Sequence, residues 1–365
     1  MRVPFGGRRV AVLLATSASL ALVAGCGGPG KKAAVQQGNA ATSTTGPATT
    51  TTAKASLLRA HGPKCPLTGA PPASGTVPRR TALAVKVENL PQARPQWGLD
   101  HADIVYEEPV EGGITRFIAV YQCQGAPRIE PVRSGRLVDV QILRPLGRIL
   151  YAYSGAIQPV LNQVDSPGSL LEDVGGNRAP NAYYRDPTRY EPHNFTTSTK
   201  ALYSAAKSLG YDVAQPPPPQ FSYGRTRTGA APAASVAIHF PLDVTTWTWD
   251  PKIRKYLRSY SDTGPAVQGD NVQISATNVV LMWVTEYATQ YVEDPTGAHE
   301  NDLVLTGTGP AWVVHDGAVF KGTWKRPSLA SPATFVATGG TTINLSPGNT
   351  WEELLPTSTQ VTLKG

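Results

Sequence analysis

Asp103-Ile104-Val105-Tyr106-Glu107-Glu108-Pro109-Val110-Glu111-Gly112-Gly113-Ile114-Thr115-Arg116-Phe117-Ile118-Ala119-Val120-Tyr121-Gln122-Cys123 sets two β-prone runs on either side of a Gly-Gly pair, which reads as a hairpin. With Gly112-Gly113 as a two-residue turn, cross-strand partners have numbers that sum to 225, so Glu111 faces Ile114 and Pro109 faces Arg116. Cross-strand partners share a face. Glu107, Glu111 and Arg116 then lie on one side of the ribbon, and Tyr106, Glu108, Phe117 and Ala119 on the other. Around this hairpin, 83–87 and 148–153 read as strands. Residues 136–143 and 198–209 carry apolar side chains at helical spacing, the second with Leu202, Ala205, Ala206 and Leu209 on one side.

Downstream, Gln215-Pro216-Pro217-Pro218-Pro219-Gln220 and the Gly, Ala and Pro that follow can continue neither a helix nor a central strand, so 214–234 is a linker. Short β-type runs come after it, at 236–240, 245–249, 253–260, 279–287, 303–306, 312–314, 319–324 and 342–345. Six of the seven Trp fall in this part, which suits a β core, although an exposed Trp face would also stack on a sugar ring. The fold class is α+β: a mixed α/β N-terminal domain over 65–213, followed by a mostly β C-terminal domain over 235–365. A chain of 365 residues has room for both cores.

Upstream, Arg2, Arg8 and Arg9 precede an apolar run over 10–23 and then Val23-Ala24-Gly25-Cys26. This is the pattern of a lipoprotein signal peptide over 1–25, with Cys26 as the lipid attachment site carrying diacylglycerol and palmitate-type chains. The run is short for a bilayer span, which takes about 20 residues. Residues 26–64 are poor in apolar side chains and read as a disordered tether. The expected location is the extracytoplasmic face of the cell membrane, lipid-anchored.

The formal charge of +7 is not a nucleic-acid footprint. The leader holds three Arg and the tether five further basic residues without one acid, so 65–365 is left with 25 basic and 26 acidic groups. No nucleic-acid partner is expected. In a non-reducing compartment Cys65 and Cys123 are read as a disulfide closing a 59-residue loop, worth roughly 4 kcal/mol on the chain-entropy account. Two buried thiols are the alternative.

Ala93-Arg94-Pro95-Gln96, Gly98-Leu99, Ala102-Asp103-Ile104-Val105-Tyr106-Glu107, Val110 through Phe117, Pro131-Val132-Arg133-Ser134-Gly135-Arg136 and Pro192-His193-Asn194 together resemble the N-terminal domain of the YerB-like lipoproteins. Gly322-Thr323-Trp324-Lys325-Arg326 and Pro347-Gly348-Asn349-Thr350-Trp351 resemble their C-terminal domain. The resemblance covers nearly all of the chain from about residue 65. It implies an envelope-anchored protein of two such domains and brings no established reaction with it. Gly135 stands where the family pattern has Ala, which is expected only to loosen that loop.

The chemistry-bearing residues leave three readings open. In the first, Ser134 caps the helix that starts near Leu137, and Arg133, Arg136, Arg116 and Arg94 supply guanidinium forks for a phosphate or carboxylate. The ligand would be an anionic wall polymer or peptidoglycan. In the second, Glu111, Glu107 or His193 transfers protons in a wall hydrolase or lyase. Four residues along a strand span about 13 Å, more than the roughly 5–10 Å of paired catalytic carboxyls. In the third, a scaffold, the same Arg residues pair with Asp103, Glu88 or Glu107 and hold loops together, with protein partners unspecified. The His and Cys spacings contain no metal-ligand pattern, and no cofactor is implied.

Overall fold

The computed structural model describes residues 62–226, 229–293 and 296–365; the leader, Cys26 and nearly all of the tether lie outside them. The first half contributes β1 (Leu83–Glu88), β2 (Ile104–Pro109), β3 (Thr115–Tyr121), β4 (Ile149–Ala152) and β5 (Leu171–Asp173). Its helices are short: α1 (Leu137–Leu143), α2 (Gln158–Val164) and α3 (Thr199–Ser208). The second half is built of strands, β6 (Ser235–His239), β7 (Val244–Asp250), β8 (Lys255–Tyr260), β9 (Asn278–Val292) and β10 (His299–Val304). They are followed by β11 (Gly307–His315), β12 (Ala318–Arg326), β13 (Thr334–Ala337), β14 (Thr350–Pro356) and β15 (Gln360–Lys364).

Strands of both halves enter one twelve-stranded mixed sheet, whose main path runs β13-β12-β11-β9-β14-β2-β3-β1-β4-β5. The splice is β14, parallel to β9 on one side and to β2 on the other. A second sheet of six strands contains β8, β7, β6 and β15 in that order. Side-chain alternation sends Ala84, Ile104 and Ile118 toward Val138 of α1 and Val160 of α2. Their neighbours Val85, Val105 and Phe117 meet Leu202 of α3 and Trp247 of the second sheet. The large sheet therefore lies between helices on one face and the smaller sheet plus α3 on the other. Each large apolar side chain buried this way contributes about 1.5–3 kcal/mol. Cys65 and Cys123 are joined as a disulfide with Cα atoms 5.8 Å apart, tying the start of the described chain to the end of β3.

The hairpin departs from its expected register. Its loop holds three residues, Glu111, Gly112 and Gly113, closed by the Val110 N–H donating to the Ile114 carbonyl at 2.9 Å. Both glycines have left-handed φ, 73° and 74°, which the loop requires. Partners are Pro109 with Thr115, Glu108 with Arg116 and Glu107 with Phe117. A slip of one residue exchanges faces: Arg116 lies with Glu108 and Tyr106, while Glu107 lies with Phe117. The expected strand at 342–345 is also absent; Thr342 and Leu345 make isolated bridges only.

Candidate functional site

On the α1 face, β1 and β2 aim Lys86 and Glu108 at each other in the buried interior, and Asp139 of α1 lies 2.6 Å from the Lys86 Nζ. Burial pushes the Lys86 ammonium down to about 8. Tyr151 of β4 donates its hydroxyl to Asp139. Next to this cluster Glu111 accepts from Arg136 Nε at 2.8 Å and from Arg136 Nη2, and from Arg116 Nη2 at 3.2 Å. Burial acts to raise the Glu111 carboxyl, but Arg136 and Arg116 outweigh it and hold the group below its ordinary value. Burial lowers Arg116 to about 10, with the charge of Arg136 acting in the same direction. Arg136 reaches a second carboxylate, Glu293, at 2.7 Å.

The start of α1 is occupied by the protein's own acids. Arg136, not Ser134, is the residue before the helix, and the Asp139 carboxylate accepts its N–H at 2.7 Å. The Glu300 carboxylate accepts the Leu137 N–H at 2.6 Å. The expected Ser134 cap is thus corrected: its carbonyl, two residues upstream, accepts from Arg116 Nη1 at 3.2 Å. Gly135 has a packing reason, since a Cβ there would lie 2.8 Å from the Tyr151 hydroxyl.

The other marked residues lie in two further places. At the carboxyl end of β1, Glu88 meets His193 Nδ1 at 2.9 Å and Arg133 Nε at 3.3 Å. The Arg133 side chain is a quarter exposed, whereas that of Arg136 is 1% exposed. At the seam between the sheets Arg94 bridges to Asp243 and Asp262 of the second half, at 3.2 and 3.1 Å, and lies over the Tyr260 ring. Deeper in that seam Glu107 lies 2.7 Å from Arg258 Nη2 and accepts from the Thr115 hydroxyl at 2.6 Å. Arg258 is fully buried among the rings of Phe117, Trp247, Tyr260 and Trp351. Its second carboxyl, Glu353 of β14, is 3.3 Å away and accepts from the Trp247 indole N–H at 2.8 Å. Burial, reinforced by Glu107, pushes Glu353 well above the usual carboxyl range.

The four Arg residues therefore do not converge. Arg116 and Arg136 meet at Glu111, Arg133 shares Glu88 with His193, and Arg94 clamps the halves. Glu111 joins the Arg116 face and Glu107 the Phe117 face. No group of three or more His, Cys, Asp or Glu suited to a metal ion occurs among the described residues. Sequence reasoning missed Lys86, Arg258 and Glu353. The signal for two of them was present: Lys86 interrupts an apolar run, and Arg258 has the parity of Tyr256 and Tyr260 in an alternating strand.

Strands of both halves share one sheet, a second sheet packs on it across a buried charge network, and the chain belongs to the family described as "Protein of unknown function (DUF3048)". The model of its N-terminal domain matches residues 67–212 and that of its C-terminal domain 236–351. The chain is similar to "Putative lipoprotein YerB" of Bacillus subtilis (strain 168), 28% identical over 297 residues, which are 80% of this chain and 86% of that protein. The crystal structure of the YerB protein from Bacillus subtilis superimposes with a TM-score of 0.70 at 25% identity, covering 82% of this chain and 99% of the other. The resemblance to the YerB-like family carried by the motifs is therefore confirmed.

Proposed function

We propose that this protein is a lipoprotein held by Cys26 at the extracytoplasmic face of the membrane, and that it binds an anionic envelope ligand at the carboxyl end of β1. Arg133 is the anion anchor, with His193 and Ser134 beside it. The observation that carries the reading is the uneven satisfaction of the guanidinium groups. Arg116, Arg136 and Arg94 are engaged by internal carboxylates, whereas among the described residues Arg133 has one ion pair, through Nε, and a quarter of its side chain open. Its two terminal nitrogens form the kind of fork that suits a phosphate or carboxylate. Ligands of sheets with parallel strands commonly bind beyond the strand carboxyl ends, and β1 and β4 are parallel. Arg94, Arg116 and Arg136 act as the frame. Glu107 and Glu111, both buried and both on guanidinium groups, suit that frame better than proton transfer in a wall hydrolase or lyase.

The test is co-sedimentation of the chain carrying Cys26→Ser with purified cell wall, followed by titration with inorganic phosphate and with acetate. Arg133→Ala is expected to lower binding about tenfold or more at an unchanged melting temperature. Equal binding by Arg133→Ala, or release of new wall fragments by the unsubstituted chain, overturns the reading. Loss of acyl label and of membrane association in Cys26→Ser tests the anchor.

A further inference from the structure

Between the hairpin tip and the second half lies a pocket of about 340 Å³, a volume suited to one small ligand or one long side chain. Its walls are the β2–β3 loop, the β6–β7 loop, β9 with β10, and the β14–β15 turn, four segments that meet only in the folded chain. Pro109, Pro241 and Pro356 line it, and their fixed φ stiffens the walls. Ile114 and Phe240 add apolar surface, and the pocket opens toward solvent at His239 and Ser358.

One carboxylate faces this lining. Glu286 of β9 accepts from the Asn301 amide of β10 at 2.8 Å, and no cation pairs with it among the described residues. Burial raises its carboxyl above the ordinary value. His239, which also lines the pocket, lies 3.1 Å from the Thr362 hydroxyl through its Nε2. A half-buried carboxylate in a lining that mixes the prolines, Ile114 and Phe240 with Thr115, Ser358 and Thr359, and that has no counter-charge among the described residues, gains from a cation that brings its own hydrogen-bond donors. An ammonium on a methylene stem meets both demands, because the stem packs on the apolar walls.

The geometry points to this pocket as a binding site for an amine-bearing ligand of the lysine side-chain type, with Glu286 and Asn301 holding the ammonium and Ile114, Phe240 and the prolines holding the stem. The site is separate from Arg133 and opposite to it in charge preference.

The experiment is calorimetric or NMR titration of the full chain carrying Cys26→Ser with Nα-acetyl-lysine-N-methylamide, and with the norleucine analogue as the isosteric uncharged control. Saturable binding of the lysine probe is expected, with the norleucine probe about tenfold weaker or more. Glu286→Gln is expected to bring the lysine probe down to the level of norleucine while the melting temperature holds. Absence of saturable binding, equal binding of the two probes, or undiminished lysine binding in Glu286→Gln overturns the assignment.

Discussion

Two carboxyls facing one guanidinium make a sharp prediction about double substitution. Glu107 and Glu353 both reach Arg258, at 2.7 and 3.3 Å, with side chains wholly shielded from water. Burial and the neighbouring Glu107 drive Glu353 well above the ordinary carboxyl range, which favours its protonated form beside Glu107, and it accepts from the Trp247 indole N–H. Gln at 353 supplies the same acceptor and a donor, so Glu353→Gln is expected to change stability by less than about 1 kcal/mol. In Glu107→Gln the upward push of Glu107 on Glu353 is gone, so Glu353 releases its proton to solvent and becomes the anion facing the Arg258 guanidinium, and the loss is held to about 1–2 kcal/mol. The double variant leaves a buried guanidinium without an anion and is expected to lose about 3–5 kcal/mol, more than the sum of the single changes. Urea denaturation of the three variants at pH 7 gives the cycle. Additive losses, or a Glu353→Gln loss larger than that of Glu107→Gln, would refute the shared-proton account.

Two further predictions concern pH and packing. Burial raises Asp103 to about 6 and Glu300 and Glu352 to about 7, so between about pH 4 and 7 the folded chain holds protons that the unfolded chain releases, and stability falls as pH rises through that window. The urea midpoint is expected to be higher at pH 5 than at pH 7.5, and Glu300→Gln with Glu352→Gln to flatten the difference; a midpoint that rises with pH contradicts it. Glu111 has the opposite sign, its stabilisation fading only in more acidic solution. Gly135→Ala is expected to cost about 1–3 kcal/mol, because its Cβ meets the Tyr151 hydroxyl, and Tyr151→Phe in the same chain should recover part of that; an unchanged thermal midpoint for the single variant excludes the clash.

The period of the apolar pattern made much of the architecture readable: β1, β4, α1 and α3 start and stop within a residue or two of the expected positions. The hairpin register was not readable, because a Gly-Gly pair serves a two-residue or a three-residue loop equally well. What selects the longer loop is a long-range fact, the hold of Arg116 and Arg136 on Glu111. β14 escaped notice for a related reason: Glu352 and Glu353 stand adjacent in a strand buried along nearly its whole length, and local patterning treats such a pair as surface. The site had the same asymmetry. Residue types that bind anions were visible, but which of them are already neutralised depends on Glu88, Glu293, Asp243 and Asp262, scattered through the chain.

The position of β14 also orders events during biogenesis. The middle of the large sheet is filled by residues from near the far end of the sequence, flanked by β2 from the first half and β9 from the second. Until that segment is available, β2 and β9 present open edges to each other, and pairing across so long a separation is intrinsically slow. A chain that stays unfinished in this way closes its central sheet late, and the two halves commit to one shape only when residues 350–356 are in place between them.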